Sequence, residues 1–160
     1  MKRKTLAHIG FALYIILLVW LVLFKLEPMF WRLPKTGRSL NLIPFGAPML
    51  MNGSISLSEI IYNALFFVPL GLYLSMLNII KNAWKAMLFG MLVSIAFETA
   101  QYLFKIGASD VTDVIMNTLG TAVGALIGSR IKAKAGTICS ILLLAELCVL
   151  AGYIVLLIVQ

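Results

Sequence analysis

The stretch FETAQYLFKIGASDVTDVIMNTLG, Phe97 to Gly120, holds Glu98, Gln101, Asp110, Asp113 and Asn117 within twenty positions. Three carboxyls and two amides so close together offer two kinds of chemistry. A glutamate in a low-dielectric setting can act as a general acid or base. Two aspartates at a helix mouth can hold a hard cation through oxygen ligands, and Asp110 with Asp113 is the pair that offers this here. The single histidine, His8, is remote from the group and reads as an interfacial residue. Its isolation removes HExxH metalloproteases, His-based lipid phosphatases and Ser-His hydrolases, each of which lacks a required partner.

The elements that must position these side chains are membrane helices. Of 160 residues, 62% are hydrophobic and only 12% charged, with a mean hydropathy of +1.04. Soluble domains are roughly half apolar and one-quarter charged. Apolar runs of roughly 20 residues, enough to cross about 30 Å of hydrocarbon as helix, lie at Leu6 to Phe24, Ile60 to Ile80, Trp84 to Phe104, Val111 to Ile131 and Ile138 to Val159. The expected fold is all-α: a polytopic bundle of five transmembrane helices in one domain, residues 1–160, with one long outer loop over about 25–58. The first run follows MKRK without a small-residue cleavage site and reads as a retained anchor. Cys139 and Cys148 are nine residues apart in one helix, about 13.5 Å along its axis, too far to bridge. Nothing in the sequence points to a metal cage or a cofactor.

The net charge of +7 comes from short loops, where basic residues set topology and meet anionic lipid head groups rather than nucleic acid. With the N-terminus inside, Lys2, Arg3, Lys4, Lys81, Lys85, Arg130, Lys132 and Lys134 fall on the inner side. Lys25, Arg32, Lys35, Arg38 and Lys105 fall on the outer side. Eight against five predicts a cytoplasmic N-terminus and an extracytoplasmic C-terminus. The outer loop, rich in aromatics and proline, is expected to lie in the interface or to dip back. Its Phe30 and Trp31 would sit at head-group level, with Arg32, Lys35 and Arg38 as anchors or an anion site.

Within the helices, Ser94, Glu98, Gln101 and Lys105 are spaced 4, 3 and 4 apart and share a face of the third span. Asp110, Asp113 and Asn117 share a face of the fourth that runs on into Gly120, Gly124 and Gly128. Lipid-facing carboxyls are expensive, so both faces should point into the bundle. At a rise of 1.5 Å per residue, Glu98 and Asn117 lie about 9 Å below the outer boundary, Gln101 and Asp113 about 3 to 5 Å, and Asn63 of the second span roughly 7 Å. All five land in one outer layer. Capping can account for Asp110 and in part for Asp113, and interhelical hydrogen bonding for Gln101 and Asn117. Glu98 is the member a structural role explains least. A capping box in SLSE gives Glu59 a structural use, Pro69 predicts a kink, and the GxxxGxxxG stripe predicts close packing within or between chains.

The pieces NLIPF (41–45), NALFFVPLG (63–71), ETAQ (98–101) and DVTDVIMNTLGTAVG (110–124), in this order and spacing, resemble the VanZ-like family of bacterial membrane proteins. The likeness covers roughly two-thirds of the chain. Many members carry an Arg before the first Asp and a third acid between the two, where this chain has Ala108, Ser109 and Thr112. The resemblance implies a helical plasma-membrane protein of the cell envelope, with a link in some members to lipoglycopeptide (teicoplanin) resistance. It implies no established reaction.

Two functions are therefore weighed. In the first, Arg38, Asn41, Asn63, Gln101, Asp110, Asp113 and Asn117 bind a lipid head group or amphiphile. In the second, an intramembrane enzyme modifies an envelope lipid with Glu98 as acid or base. A third, ion or proton passage, needs a polar line into the inner half, and below Asn117 the stripe is glycine.

Overall fold

A computed structural model describes residues 2–24, 39–46, 50–51, 54–55 and 57–159, with side chains over 5–24, 39–46 and 60–155. Five α-helices carry most of the chain: α1 Lys2–Phe24, α2 Leu57–Met76, α3 Ala83–Phe104, α4 Val111–Arg130 and α5 Ala135–Val159, with a 3-10 turn at Lys132–Lys134 before the last. Among the described residues four stretches have the length and composition to cross a membrane: Thr5–Phe24, Ala83–Phe104, Val111–Arg130 and Lys132–Val155. The apolar part of α2, Ile60–Met76, is shorter.

The second span thus ends four residues before the expected Ile80. Asn78 adopts a left-handed backbone at φ 57, and the Leu77, Asn78 and Ile80 amides turn back to the Tyr73, Ser75 and Leu74 carbonyls. The apolar run continues through Ile79 and Ile80 after the helix has stopped, because hydropathy carries no signal of a left-handed asparagine. Helix α3 starts at an Asn82 cap, whose side chain accepts from the Trp84 amide at 3.2 Å. It closes at Lys105, φ 58, whose amide returns to the Gln101 carbonyl.

α2 is the most enclosed helix, with Phe67, Leu70, Tyr73 and Leu74 at 0 to 1% exposure. It lies against α4 through glycine. A Cβ built at Gly120 would stand 2.1 Å from the Ala64 carbonyl oxygen, and one at Gly124 would stand 2.0 Å from that of Val68. The GxxxGxxxG stripe therefore packs within the chain, against the backbone of α2. Gly71 answers from the other side, its notional Cβ 2.0 Å from the Thr121 carbonyl. In hydrocarbon, where burial of apolar surface gives no drive between helices, this close approach supplies the dispersion contacts that hold them.

At Pro69 the chain stays helical. Pro69 leaves the Leu65 carbonyl without its i+4 amide donor, and the next carbonyl along, that of Phe66, accepts from the Tyr14 hydroxyl of α1 at 2.8 Å. Outward, Ile16, Leu92, Leu119, Ile141 and Leu144 are 49 to 65% exposed, a lipid-facing belt rather than a water-facing surface.

The helices are joined at one end by short strands that an all-α reading omits. β1, Ser39–Asn41, pairs in parallel with β4, Ala108–Asp110, in the register Ser39 to Ala108 and Asn41 to Asp110. β2, Leu50–Met51, and β3, Ser54–Ile55, form an antiparallel pair. The stretch after β1 turns at 43–46, with the Gly46 amide on the Ile43 carbonyl at 3.0 Å and Phe45 at φ 56.

Candidate functional site

β1, the end of α3 and the start of α4 meet at the polar group. Asp110 caps α4: its Oδ1 accepts from the Thr112 amide at 2.7 Å, the arrangement that satisfies a free amide of the first helical turn. Its Oδ2 accepts from Asn41 Nδ2 at 2.9 Å, which ties β1 to the cap. Asn41 Oδ1 in turn accepts from the Ile43 amide at 3.1 Å. Glu98, 7% exposed, accepts from the Asp110 backbone amide through Oε2 at 2.9 Å, while the Ser109 hydroxyl donates to the Glu98 carbonyl at 2.6 Å. Glu98 thus receives a backbone donor from the strand that leads into α4.

The other amides go to separate partners. Asn63 Nδ2 donates to Asp113 Oδ1 at 2.5 Å, linking α2 to the first turn of α4. Gln101 Nε2 donates to the Val22 carbonyl of α1 at 2.9 Å, and Asn117 Nδ2 donates to Ser94 Oγ of α3 at 2.9 Å. Gln101 Oε1 and Asn117 Oδ1 are buried and accept no hydrogen bond among the described residues. The polar residues do not gather into one cluster but fall into four groups: Asn41 with Asp110 and Glu98, Asn63 with Asp113, Gln101 with the Val22 carbonyl, and Asn117 with Ser94. Asp110 and Asp113, offered for a cation, engage different partners, and no group of three or more His, Cys, Asp or Glu is placed for a metal among the described residues. Arg38, Phe30, Trp31, Arg32, Lys35 and the side chains of the SLSE capping box lie outside the described residues.

Two positions at which the chain departs from the fuller acidic pattern prove to be joints. Thr112, fully buried, accepts from the Phe45 amide at 2.9 Å and so pins the left-handed turn of the β1 segment onto α4. Ser109 joins β4 to α3. No sequence signal distinguishes these hydroxyls from ordinary helix-end residues.

Beside Glu98 and Asp110 opens a cavity of about 230 Å³, walled by Leu40 and Leu42 of the β1 segment, Ile95, Thr99 and Tyr102 of α3, and Val111 and Val114 of α4. Its surface is almost wholly apolar, since the polar atoms at its edge are turned into the joints described above. From Ile95 to Tyr102 it extends about 10 Å along α3, down from the end where α3 stops and α4 begins. The site therefore pairs a hydrogen-bonded polar rim with a carbon-lined cleft.

A third buried acid, Glu146 of α5, is not among the residues singled out from the sequence. It is 8% exposed and accepts from the Tyr73 hydroxyl at 2.9 Å. The signal was available: one carboxyl midway in the apolar run ILLLAELCVLAGY.

Lipid-exposed helices, a glycine-seamed α2–α4 pair and polar joints at one end define a polytopic helical membrane protein. The chain belongs to the VanZ/LLP1 family, whose family model matches residues 11–132. Among its relatives is Protein VanZ of Enterococcus faecium, 38% identical over 122 residues, which are 76% of this chain and 72% of that protein. No solved structure matches the chain.

Proposed function

We propose that this chain is a multi-pass plasma-membrane protein of the cell envelope that takes the apolar chain of a lipid or other amphiphile into the cleft between β1, α3 and α4. The cleft itself carries the reading: an apolar cavity at a helix-bundle end, opening beside a buried carboxyl, matches a hydrocarbon chain better than a free polar solute. In this reading α2 completes five spans, the N-terminus is cytoplasmic and the C-terminus extracytoplasmic, and the cleft faces outward. Lys81, Lys85, Arg130, Lys132 and Lys134 then meet anionic head groups on the inner leaflet. A link to teicoplanin resistance fits this site, because a lipoglycopeptide carries an acyl chain of the kind the cleft accepts.

The test is binding to purified protein in lipid nanodiscs, using teicoplanin and the same glycopeptide core without its acyl chain. The acylated compound should bind and the core should not. Val114→Phe, which fills the cleft, should displace about two methylenes, a loss of about 1.6 kcal/mol or more than tenfold in affinity. Equal binding of both compounds, or an unchanged Val114→Phe, refutes the reading.

A second reading, an intramembrane enzyme acting on an envelope lipid with Glu98 as acid or base, draws on the place of Glu98 in the cleft wall. It requires that Glu98→Gln abolish a lipid change that the wild-type protein produces in cells. Under the binding reading Glu98→Gln leaves extracted lipids as they are.

A further inference from the structure

Helix α5 begins at Ala135, beyond residue 132 where the family match ends. It packs chiefly against α1 and also touches α2. Most of its surface is lipid-facing, so one buried carboxyl on it demands an account. Glu146 stands about 17 Å from Ala135 and about 20 Å from Val159 along the helix, close to its middle. Its Oε1 accepts from Tyr73, and its Oε2 is sealed and has no hydrogen-bond partner among the described residues.

The space around this pair is built. A Cβ at Gly10 of α1 would stand 2.8 Å from the Tyr73 hydroxyl oxygen and 3.4 Å from Leu143 of α5, so glycine there gives the phenol room to reach α5. The rings of Phe11 and Tyr14 flank Tyr73 at centroid distances of 5.4 and 5.7 Å. The titratable groups around Glu146 are Tyr14 from α1, Tyr73 from α2 and Cys139 from α5 itself. Tyr14 spends its own proton on the Phe66 carbonyl. No lysine or arginine is paired with Glu146 among the described residues. An anion at this depth with a single neutral donor is costly, whereas a neutral acid leaves no charge to compensate.

We propose that α1, α2 and α5 form a proton-binding site at Glu146, in which one proton on Oε2 neutralises the carboxyl and allows α5 to dock on the rest of the bundle. The proton adds to Oε2 from solvent before α5 docks and is sealed in by the docking, and no other bond is made or broken. The site shares no residue with the apolar cleft and stands whether or not that cleft binds an amphiphile. It joins the matched segment, through Tyr14 and Tyr73, to the helix that follows it.

The test is infrared spectroscopy of the full chain in lipid nanodiscs at neutral pH, combined with spin-label distances between α1 and α5. Glu146→Gln should remove a protonated-acid carbonyl band and leave the carboxylate bands unchanged. As a neutral isostere it should also preserve the α1–α5 distance. Tyr73→Phe should shift that acid band by removing the donor to Oε1. Loss of a carboxylate band instead, or a widened α1–α5 distance in Glu146→Gln, overturns the proposal. If Glu146→Gln does not insert, Tyr73→Phe decides: a shifted acid band supports the site, and an unshifted one overturns it.

Discussion

Replacing Gly124 by alanine tests whether the α2–α4 seam is what holds the site together. The new Cβ would lie 2.0 Å from the Val68 carbonyl oxygen, 2.9 Å from its carbon and 3.1 Å from the Leu72 nitrogen, all backbone atoms. Restoring an ordinary contact of 3.4 Å, the lower end of van der Waals separation, means moving the two helices apart by about 1.4 Å at that level. No rotamer change can relieve this, since neither the methyl nor the carbonyl has a torsion to turn. Overpacking of a well-filled interior costs about 1–3 kcal/mol, and a backbone obstacle places this substitution toward the upper end. That corresponds to roughly a 10- to 100-fold loss in the folded-to-unfolded ratio. Gly152→Ala is the matched control, because nothing lies within 4 Å of its notional Cβ. The readout is thermal exposure of buried Cys139 to a fluorogenic maleimide, in a background where exposed Cys148 is serine. Gly124→Ala should unfold about 4–10 °C below the parent, with Gly152→Ala close to it. Equal midpoints for the two variants would refute the close-packed seam.

Asp110→Ala removes both the α4 cap and the partner of Asn41; it should cost about 0.5–2 kcal/mol and speed hydrogen exchange at the Ile43 amide, read by mass spectrometry. Thr112→Val keeps the shape but removes the acceptor of the Phe45 amide. Its cost should be about 1 kcal/mol, with faster exchange confined to residues 43–46. Asn63→Leu breaks the α2 link to Asp113 and should lower stability by roughly 0.6–1.7 kcal/mol in the same maleimide assay. For orientation, Ala133→Cys in a chain with both native cysteines replaced should react with a membrane-impermeant maleimide only after cells are opened. Labelling of intact cells would reverse the proposed topology.

Much of the fold was legible because hydrocarbon imposes a strong rule on sequence: runs of about 20 apolar residues must be helical to satisfy their own backbone. The ends of α3 and α4 near Phe104 and Val111 follow from that rule and from Asp110, whose capping role was readable from its place before the run. The C-terminal end of α2 was not, because Asn78 stops the helix through a backbone conformation that composition does not report. Glu98, Gln101, Asp113 and Asn117 were marked by helical spacing as inward-facing, and the structure gives each a hydrogen bond or buries it in the bundle. Their partners were not readable, since one helix face can meet several neighbours and periodicity alone does not choose among them. Glu146 is a different case, marked in the sequence by a lone carboxyl in an apolar run.

By itself, then, the sequence determined a membrane helix bundle and which faces of α3 and α4 avoid lipid, because solvation and helical period act locally along the chain. Only the tertiary structure decided that the glycine stripe packs on α2 and that β1 crosses to pair with β4. It likewise turned the Asp110 and Glu98 oxygens into joints, leaving the cleft beside them apolar. Those outcomes depend on which backbone approaches which at separations of a few ångströms, a property of distant segments brought together rather than of any one of them.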